Sequence, residues 1–336
     1  MEKIRIGIIC PSEIAFRRFM PALSKLNDIY EFAGIAIASD DEWNGSRTVE
    51  TKNIEIQKAK SFIDQYGGKM YESYTSLIND EQVEAVYIPL PPALHYQWAK
   101  LALQNNKHVF VEKPSSTRLE HTKELTELAN AKKLVLHENY MFIYHHQIEK
   151  IQQIIEKGKL GDVRLIRANF GFPKRPANDF RYNKSLGGGA LLDCGGYPLR
   201  LITLLLDEGV QIDASKLIYN DQNIDLYGSV QLSNSHQVAQ VSFGMDNEYR
   251  CDLEIWANQG ILRTGRIFSA PDQLTCTIEI EKNHEIQKIE VLPDDTFKKS
   301  LLHFYECYKS EDVRKETYES LIKQSQLVAD TFRLNK

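Results

Sequence analysis

Residues 83–136 decide the fold and read VEAVYIPLPPALHYQWAKLALQNNKHVFVEKPSSTRLEHTKELTELANAKKLVL. Three apolar runs in this stretch are separated by two segments with helical periodicity. The same alternation of strand and helix extends back to the N-terminus. The predicted strands are residues 3–9, 32–38, 83–88, 108–111 and 134–136, and the predicted helices are residues 15–26, 56–65, 94–104 and 119–131. Repeated alternation of this kind predicts an α/β domain with a parallel, doubly wound sheet over residues 1–137.

From about residue 138 the pattern changes. Helical patterns over residues 148–156 and 190–206 are accompanied by strand patterns that alternate in polarity. The predicted strands of this part are residues 164–171, 226–232, 237–243, 251–256, 274–280 and 286–291. We therefore predict an α+β domain over residues 138–311, built on an open, mainly antiparallel sheet with one solvated face. A C-terminal helix over residues 312–336 is expected to pack back on the first domain.

The length, hydropathy, charge and cysteine content of the chain limit the kind of protein it can be and the kind of ligand it can bind. A chain of 336 residues exceeds one comfortable hydrophobic core, so two domains are expected. The mean hydropathy of −0.40 excludes a membrane-rich chain. A net charge of −5 without a long basic run argues against nucleic acid and favours a small-molecule partner. Five widely spaced cysteines indicate mostly buried thiols rather than disulfides or a zinc site, and without a secretion signal we expect a cytoplasmic protein.

The first predicted strand runs into the turn Cys10-Pro11-Ser12-Glu13-Ile14-Ala15. A dinucleotide-binding (Rossmann) fold places its glycine-rich phosphate loop at this position. Here Cys10 and Ser12 stand in the places of the first two glycines, and Ala15 is an acceptable third residue. Ser12 can hydrogen-bond a phosphate but lacks the backbone freedom of glycine. The turn alone is therefore compatible with a cofactor loop at residues 10–14 and equally with an ordinary turn from strand to helix.

Ser39 and Asp40 follow the second predicted strand, where the adenosine ribose of a dinucleotide would lie. A carboxylate there accepts hydrogen bonds from the ribose hydroxyls and repels a 2′-phosphate, which favours NAD(H) over NADP(H). The polar segment 40–53 is long for a loop in such a domain, and we expect it to be a flexible insertion. Because Arg47 or Lys52 in this segment could bind a phosphate, both cofactors stay open, and a solvated acidic turn would have the same sequence.

The run HVFVEKP over residues 108–114 places Lys113 at the C-terminal end of a parallel strand. Open sheets bind ligands at that edge, and a lysine there can act as an acid or base or simply be solvated. With PPALH at residues 91–95 and GGGALLD at residues 187–193, this run resembles the Gfo/Idh/MocA family, the glucose-fructose oxidoreductase and inositol dehydrogenase group. The resemblance covers nearly the whole chain, and the combination of Glu-Lys-Pro with three glycines is specific.

The resemblance implies an NAD(P)-dependent oxidoreductase. In the family the lysine of Glu-Lys-Pro lies beside the nicotinamide and the reacting oxygen, which implies that Lys113 polarises a carbonyl or relays a proton, with Glu112 beside the cofactor. Pro91, Pro92 and His95 match the loop over the nicotinamide and are implied cofactor contacts. His95 could equally be a structural histidine at the start of a helix.

Tyr197 occupies a position where many family members carry histidine and a subset carries tyrosine. Asp193 and Tyr197 are four residues apart, so on a helix their side chains share one face and can reach one substrate. A tyrosine with an ordinary pKa of about 10 is protonated at neutral pH, and the Lys113 ammonium would ease proton donation. We take Tyr197 as the general acid, with Lys113 and Asp193 as the other catalytic residues; a buried core tyrosine is the plainer alternative.

The stretches DFRY at residues 179–182, LGGG at 186–189 and GGYP at 195–198 most resemble the nucleotide-sugar 3-ketoreductase branch of the family. The branch implies reduction of a sugar carbonyl at C3 of a nucleotide-linked deoxysugar. Charge-assisted hydrogen bonds from Lys174, Arg175 and Arg181 could bind the diphosphate, although each could also be a surface charge.

The Glu-Asn segment of the family is matched by Glu138-Asn139, which implies that Tyr140 and His145 lie near the substrate. The adjacent histidines 145 and 146 point apart on a helix or a strand, so we expect no metal site.

Two alternatives remain, because the missing glycines depart from the family pattern. A dehydrogenase of free polyols, inositols or dihydrodiols would need no diphosphate-binding cations. A regulator that binds the dinucleotide without turnover would need no catalytic residues, and the joint presence of Lys113, Asp193 and Tyr197 argues against it. A large sheet with one uncovered face usually finds a partner, so we also expect a homo-oligomer, a dimer or a tetramer.

Overall fold

The structure is a computed structural model that describes residues 3–43, 45, 47–206 and 209–335. The chain divides into two compact units. The first comprises Met1–Asn139 with Phe297–Ile322, and the second comprises Tyr140–Thr296 with Lys323–Lys336. Residues 297–311, which the sequence analysis assigns to the second domain, thus cluster with the first unit. The C-terminal helix is divided between the units rather than belonging to one.

The first unit is built on a parallel sheet, which has six strands among the described residues. The strands are β1 (Ile4–Ile9), β2 (Tyr30–Ala36), β3 (Lys69–Tyr71), β4 (Ala85–Ile88), β5 (His108–Glu112) and β6 (Leu136–Asn139). Their order is β3-β2-β1-β4-β5-β6, and every pair is parallel. This order defines a Rossmann fold and confirms the predicted doubly wound sheet.

Helices cover the sheet of the first unit as α1 (Met20–Ser24), α2 (Val49–Tyr66), α3 (Tyr74–Asn79), α4 (Pro92–Gln104) and α5 (Leu119–Lys132). The helix predicted over residues 15–26 begins as a π-helical turn, Ala15–Phe19, before α1. Helix α2 begins well before the predicted residue 56, because the Thr48 side chain accepts a hydrogen bond from the Thr51 amide at 3.1 Å and caps it. The expectation of a flexible insertion over residues 40–53 is therefore wrong for its second half. Asn44 and Ser46 of this segment lie outside the described residues.

The second unit is built on a sheet that has eight strands in the part of the chain that the structure describes. Its strands are β7 (Val163–Gly171), β8 (Gln211–Tyr219), β9 (Asp225–Ser233), β10 (Val238–Gly244), β11 (Arg250–Ala257), β12 (Ile261–Gly265), β13 (Cys276–Lys282) and β14 (Glu285–Val291). The order is β14-β13-β12-β11-β7-β10-β9-β8, and the pairing is antiparallel except between β7 and β10. The predicted open, mainly antiparallel sheet is confirmed, with β8 and β12 as strands that the sequence analysis missed.

One face of this sheet is covered and the other is open. Helix α6 (His146–Glu156), a π-helical turn (Leu191–Gly195) and α7 (Gly196–Leu205) contribute to one apolar core with the inward side chains of the strands. Alternate positions of β11 point away from that core, and Trp256 is 52 % exposed. The chain ends in α8 (Thr296–Lys309), which the sequence analysis missed, and α9 (Glu311–Leu334).

The cysteines are free thiols, and all but Cys10 are buried, as predicted. Among the residues that the structure describes, no helix is both long and apolar enough to span a bilayer.

Candidate active site

The turn after β1 contains one residue in the left-handed conformation that glycine favours, although it lacks the glycines. Cys10 adopts a left-handed conformation with a φ of 80°, which a glycine would adopt without strain. Its amide donates to the Ala36 carbonyl at 3.1 Å, and the Ser12 hydroxyl accepts from the Ala15 amide at 3.2 Å. Burial raises the pKa of the Cys10 thiol to about 12, so the turn presents a neutral thiol rather than an anion. The turn therefore fits a cofactor pyrophosphate at the start of a helical segment.

The other predicted residues of this turn differ in exposure. Glu13 and Ile14 are exposed, Ser12 is half-buried and Pro11 is buried. The Glu13 carboxylate is paired with Arg17 at 2.8 Å. An anionic ligand beside the turn would therefore meet a carboxylate that is already paired with a cation.

Asp40, after β2, is held by two cations. The Asp40 carboxylate lies 3.2 Å from Lys52 Nζ and 3.1 Å from Arg47 Nη1, and these groups, Lys52 above all, hold its pKa below the usual range. Arg47 also donates to the Ala38 carbonyl at 2.7 Å and to buried Glu55 at 2.5 Å. The segment after β2 is thus tied to α2. It presents one exposed carboxylate with two neighbouring cations where an adenosine ribose would bind.

Glu112 is the last residue of β5 and precedes Lys113, and two hydrogen bonds fix the position of its carboxyl group. Its Oε1 atom accepts hydrogen bonds from Tyr87 Oη and from Asn139 Nδ2, both at 2.7 Å. Asn139 Oδ1 in turn accepts from Ser300 Oγ at 2.8 Å, which links α8 to the site. Burial raises the pKa of Glu112, while the two donors and the Lys113 charge oppose that change. The hydrogen bonds from Tyr87 and Asn139 hold the Glu112 carboxyl group in place beside Lys113.

His95 is fully buried and connects the segment after β4 with the segment after β5. Its Nδ1 lies 2.7 Å from the Pro114 carbonyl oxygen and its Nε2 lies 2.6 Å from the Leu90 carbonyl oxygen. Burial lowers the pKa of His95 to about 4, and the nearby Lys113 charge contributes, so the ring is neutral at pH 7. Of the two alternatives for His95, the geometry supports the structural one, in which it positions half-buried Pro91 and the segment after Lys113.

The three glycines before α7 serve as a close-packing turn. Gly187 adopts a left-handed φ of 79°. At Gly188 an added Cβ would lie 2.4 Å from the Arg181 carbonyl oxygen, and at Gly189 it would lie 2.1 Å from Asp225 Oδ1. The glycines are required because these neighbours approach the backbone closely.

Asp193 is buried beside Arg181. The Asp193 Oδ2 atom lies 2.7 Å from Arg181 Nε, and Arg181 Nη1 also lies 3.1 Å from Asp179. The Arg181 guanidinium is therefore already matched by two carboxylates. Arg181 therefore holds Asp193 and the loop before the glycines, and its role as a diphosphate ligand stays a prediction.

The other two predicted diphosphate ligands remain near the surface. The Arg175 guanidinium lies 5.2 Å from the centroid of the Phe172 ring, and Lys174 Nζ lies 3.8 Å from Asp246. Side-chain exposure of 68 % for Lys174 leaves its ammonium accessible to a ligand.

Tyr197 lies in an aromatic cluster and is 9 % exposed. Its ring centroid is 5.2 Å from that of Tyr140, 5.6 Å from Phe142, 5.2 Å from Phe170 and 6.0 Å from Phe268. The residues between Asp193 and Tyr197 belong partly to the π-helical turn, so the α-helical spacing that we assumed for this pair is wrong. π-Helical turns within α-helices occur frequently at functional sites.

Tyr140 and His145 are both buried to 2 % exposure. Gln324 Nε2 lies 3.4 Å from Tyr140 Oη, and an added Cβ at Gly196 would lie 2.1 Å from that oxygen. His145 Nδ1 accepts from the Gln147 amide at 3.0 Å and caps α6. Both side chains are enclosed by protein and support their own unit, and their contact with the substrate stays a prediction.

Glu138 and Asn139 match the Glu-Asn segment of the family, but the sequence predicted no role for either residue. Glu138 Oε1 accepts from the Ser115 amide at 2.6 Å, and Asn139 holds Glu112. The Glu-Asn match was a signal that could have revealed both functions. Nothing local in the sequence marks Ser300 or Asp225, because their partners are distant along the chain.

Taken unit by unit, these features define a class of protein. The first unit has Rossmann strand order, a turn that fits a dinucleotide and a lysine at the carboxyl end of β5, while the second unit offers Asp193 and Tyr197. Among the described residues, no group of three or more His, Cys, Asp or Glu side chains is arranged to hold a metal ion. The chain is an oxidoreductase with an NAD(P)-binding Rossmann domain.

Comparison with known families gives the particular family. Residues 22–140 match the model described as "Oxidoreductase family, NAD-binding Rossmann fold", and residues 148–263 match the GFO/IDH/MocA C-terminal domain. The chain belongs to the Gfo/Idh/MocA family.

Several characterised relatives resemble this chain over nearly its whole length. The dTDP-3,4-didehydro-2,6-dideoxy-alpha-D-glucose 3-reductase of Actinomadura kijaniata is 32 % identical over 97 % of this chain and 93 % of its own length. The enzyme of the same name from Saccharopolyspora spinosa is 32 % identical over 97 % of this chain and 96 % of its own length. The crystal structure of KijD10, a 3-ketoreductase from A. kijaniata in complex with NADP and TDP-benzene, superposes with a TM-score of 0.90 at 31 % identity and covers 100 % of this chain and 98 % of KijD10.

Proposed function

We propose that this protein is a C3-ketoreductase that acts on a dTDP-linked 3-keto-deoxysugar. The observation that carries the proposal is the similarity to dTDP-sugar 3-reductases across 97 % of the chain. The presence of Tyr197 and Lys113 at the motif positions supports it. A free-polyol dehydrogenase and a non-catalytic regulator are the outcomes that would replace it.

In this proposal, Lys113 and Tyr197 both act on the carbonyl oxygen of the substrate. When bound, NAD(P)H supplies the hydride that adds to the ketone carbon. Lys113 donates a hydrogen bond to the carbonyl oxygen and stabilises the negative charge that develops there. Tyr197 transfers its proton to the same oxygen, which completes the alcohol and leaves a phenolate for solvent to reprotonate. The Glu112 carboxyl group, next to Lys113 in the chain, interacts electrostatically with the Lys113 ammonium.

Asp193 is assigned the third catalytic position, as a substrate contact. Its Oδ2 atom is 2.7 Å from Arg181 Nε, and this contact fixes the direction of the carboxyl group. A fixed carboxylate can accept a hydrogen bond from a sugar hydroxyl and orient the ring toward Tyr197. Exposed Lys174 and Arg175 are proposed as the diphosphate ligands.

Asp40 is proposed as the residue that discriminates between NAD(H) and NADP(H). Its carboxylate is 72 % exposed on the side chain and can accept bonds from ribose hydroxyls, which favours NAD(H). KijD10 binds NADP in its crystal structure, and Lys52 and Arg47 beside Asp40 could bind a 2′-phosphate. Asp40→Asn should therefore lower KM for NADPH relative to KM for NADH by about tenfold, near 1.4 kcal/mol. An unchanged ratio of the two KM values would show that Asp40 does not discriminate, and Asp64→Asn on α2 is the control.

The open face of the second unit supports a homo-oligomer, a dimer or a tetramer. Large apolar side chains such as Trp256 and Tyr227 are 52 % and 44 % exposed on its sheet. Light scattering that shows only particles of 38.7 kDa would defeat this proposal.

Two measurements test the function. Calorimetric titration with NADH and NADPH, followed by dTDP on the cofactor-bound protein, should give binding of both ligand classes. Consumption of NAD(P)H with a dTDP-linked 3-keto sugar, followed at 340 nm with product analysis by NMR, should yield an alcohol at C3. Cofactor binding without dTDP binding would favour a free polyol substrate, binding of both without turnover would favour the regulator, and absence of cofactor binding would exclude the enzyme.

A further inference from the structure

The segment that carries Asp193 and Tyr197 begins without a local cap. Its π-helical turn, Leu191–Gly195, follows Ala190, whose side chain offers no hydrogen bond to the first amides. The first amides of a helical segment have no partner within the segment, and they carry partial positive charge. Buried amides of this kind need an acceptor from elsewhere in the protein.

Asp225, the first residue of β9, supplies that acceptor. Its Oδ2 atom lies 2.6 Å from the Leu191 amide nitrogen, and the Ala190 amide also donates to the carboxylate. The side chain is buried at 4 % exposure, and the second carboxylate oxygen occupies the space where a Cβ at Gly189 would lie. Asp225 thus touches both the glycine turn and the start of the helical segment, 34 residues away in the chain.

We propose that Asp225 is a positioning residue for the reaction: its ionised carboxylate fixes the start of the helical segment and, through it, the placement of Asp193 and Tyr197. Asp225 does not touch the substrate in this role. It acts through backbone amides, so it should change turnover more than cofactor affinity. The role rests on the proposed function, whereas the capping itself does not.

The role gives the segment a pH dependence. Burial raises the pKa of Asp225 to about 6, against the opposing effect of the amide hydrogen bonds. Above this pH the carboxylate accepts from both amides; below it one oxygen is protonated and the cap weakens. Two ionisable groups nearby are Tyr219, whose pKa is raised by burial and by the Asp225 charge, and Asp193, which is paired with Arg181. The elements packed around the turn and β9 also carry Arg164, Arg167, Tyr197, Arg200, Asp213, Lys216 and Tyr227. Strand β10, which packs on the same turn, has no ionisable side chain.

The test is Asp225→Asn, with Asp221→Asn in the exposed turn before β9 as the matched control. For Asp225→Asn we expect kcat to fall at least fivefold, the dissociation constant of NAD(P)H to stay within twofold, and the amides of residues 190–193 to exchange hydrogen at least tenfold faster. The wild-type kcat should also fall below about pH 6, and this acid limb should be absent in Asp225→Asn. The proposal would be overturned if Asp225→Asn had the same kcat, the same pH profile and the same amide exchange rates as the wild-type protein.

Amide exchange separates this inference from the proposed function, because it needs no substrate. If the wild-type protein reduces no dTDP-linked 3-keto sugar, the proposed function fails, while faster exchange in Asp225→Asn still supports the cap. If Asp225→Asn does not fold, the same question is tested by measuring amide exchange in the wild-type protein at different pH values. Its protection at residues 190–193, corrected for intrinsic rate, should drop as the pH falls through about 6, while protection in α6 stays constant. Constant protection in both segments would overturn the cap.

Discussion

Replacing Tyr197 by phenylalanine removes one hydroxyl group and leaves the aromatic ring in its cluster. The ring keeps its neighbours Tyr140, Phe142 and Phe170 at centroid distances of 5.2, 5.6 and 5.2 Å. We therefore expect the free energy of unfolding to change by no more than about 1 kcal/mol, the usual net value of one hydrogen bond. Loss of a general acid lowers the rate by about 10²- to 10⁴-fold, equivalent to about 3 to 5 kcal/mol in the barrier.

The assay is steady-state NAD(P)H oxidation with a dTDP-linked 3-keto sugar, together with calorimetric measurement of cofactor affinity and a denaturant melt. Because the Tyr197 hydroxyl is assigned to the substrate oxygen, the cofactor dissociation constant should stay unchanged while kcat falls. Tyr227→Phe, on the exposed face of β9, is the control and should retain wild-type kcat. A kcat for Tyr197→Phe within about tenfold of wild type, near 1.4 kcal/mol, would refute the assignment of Tyr197 as proton donor.

Two further changes test the first unit. Lys113→Ala should lower kcat at least 100-fold, because the developing oxyanion loses its cationic donor; cofactor binding by calorimetry should remain measurable, and a kcat within tenfold of wild type would contradict the role. Cys10→Gly should raise the free energy of unfolding by up to about 1 kcal/mol in urea melts, because relief of left-handed strain, about 1–2 kcal/mol, exceeds the added chain entropy of glycine, about 0.5–1 kcal/mol. A loss of stability above about 1 kcal/mol would contradict the strain argument.

The parallel sheet was predictable because buried strands are near-continuous apolar runs, as in AVYI of β4. Strand β3 has only three residues, KMY, and two of them are exposed, so it gave no run to detect. Strand β8 is buried at few of its positions, since it lies at the edge of its sheet. The start of α2 was missed because the Thr48 cap lies in a polar stretch that resembles a loop.

The candidate site was predictable where function rests on short motifs. Lys113 and Tyr197 stand in recognisable runs, and their positions at the end of β5 and in α7 follow from those runs. Pairings between distant residues were not predictable. Arg181 is paired with Asp193, and neither residue type at its own position indicates that pairing.

The first unit is discontinuous along the chain, since its sheet ends at Asn139 and its last helical part begins at Phe297. Tyr30 Oη donates to the Leu301 carbonyl at 2.7 Å, and Ser300 Oγ donates to Asn139 Oδ1. The sheet therefore depends on α8, which is synthesised much later. At roughly 5–20 residues per second, a ribosome takes on the order of ten to thirty seconds to cross the intervening stretch. During translation the first unit therefore cannot be completed before α8 is made, and the second unit needs its last residues, Lys323–Lys336, which are synthesised later still. A chain truncated after Asn139 should consequently recruit chaperones or aggregate rather than bind a dinucleotide.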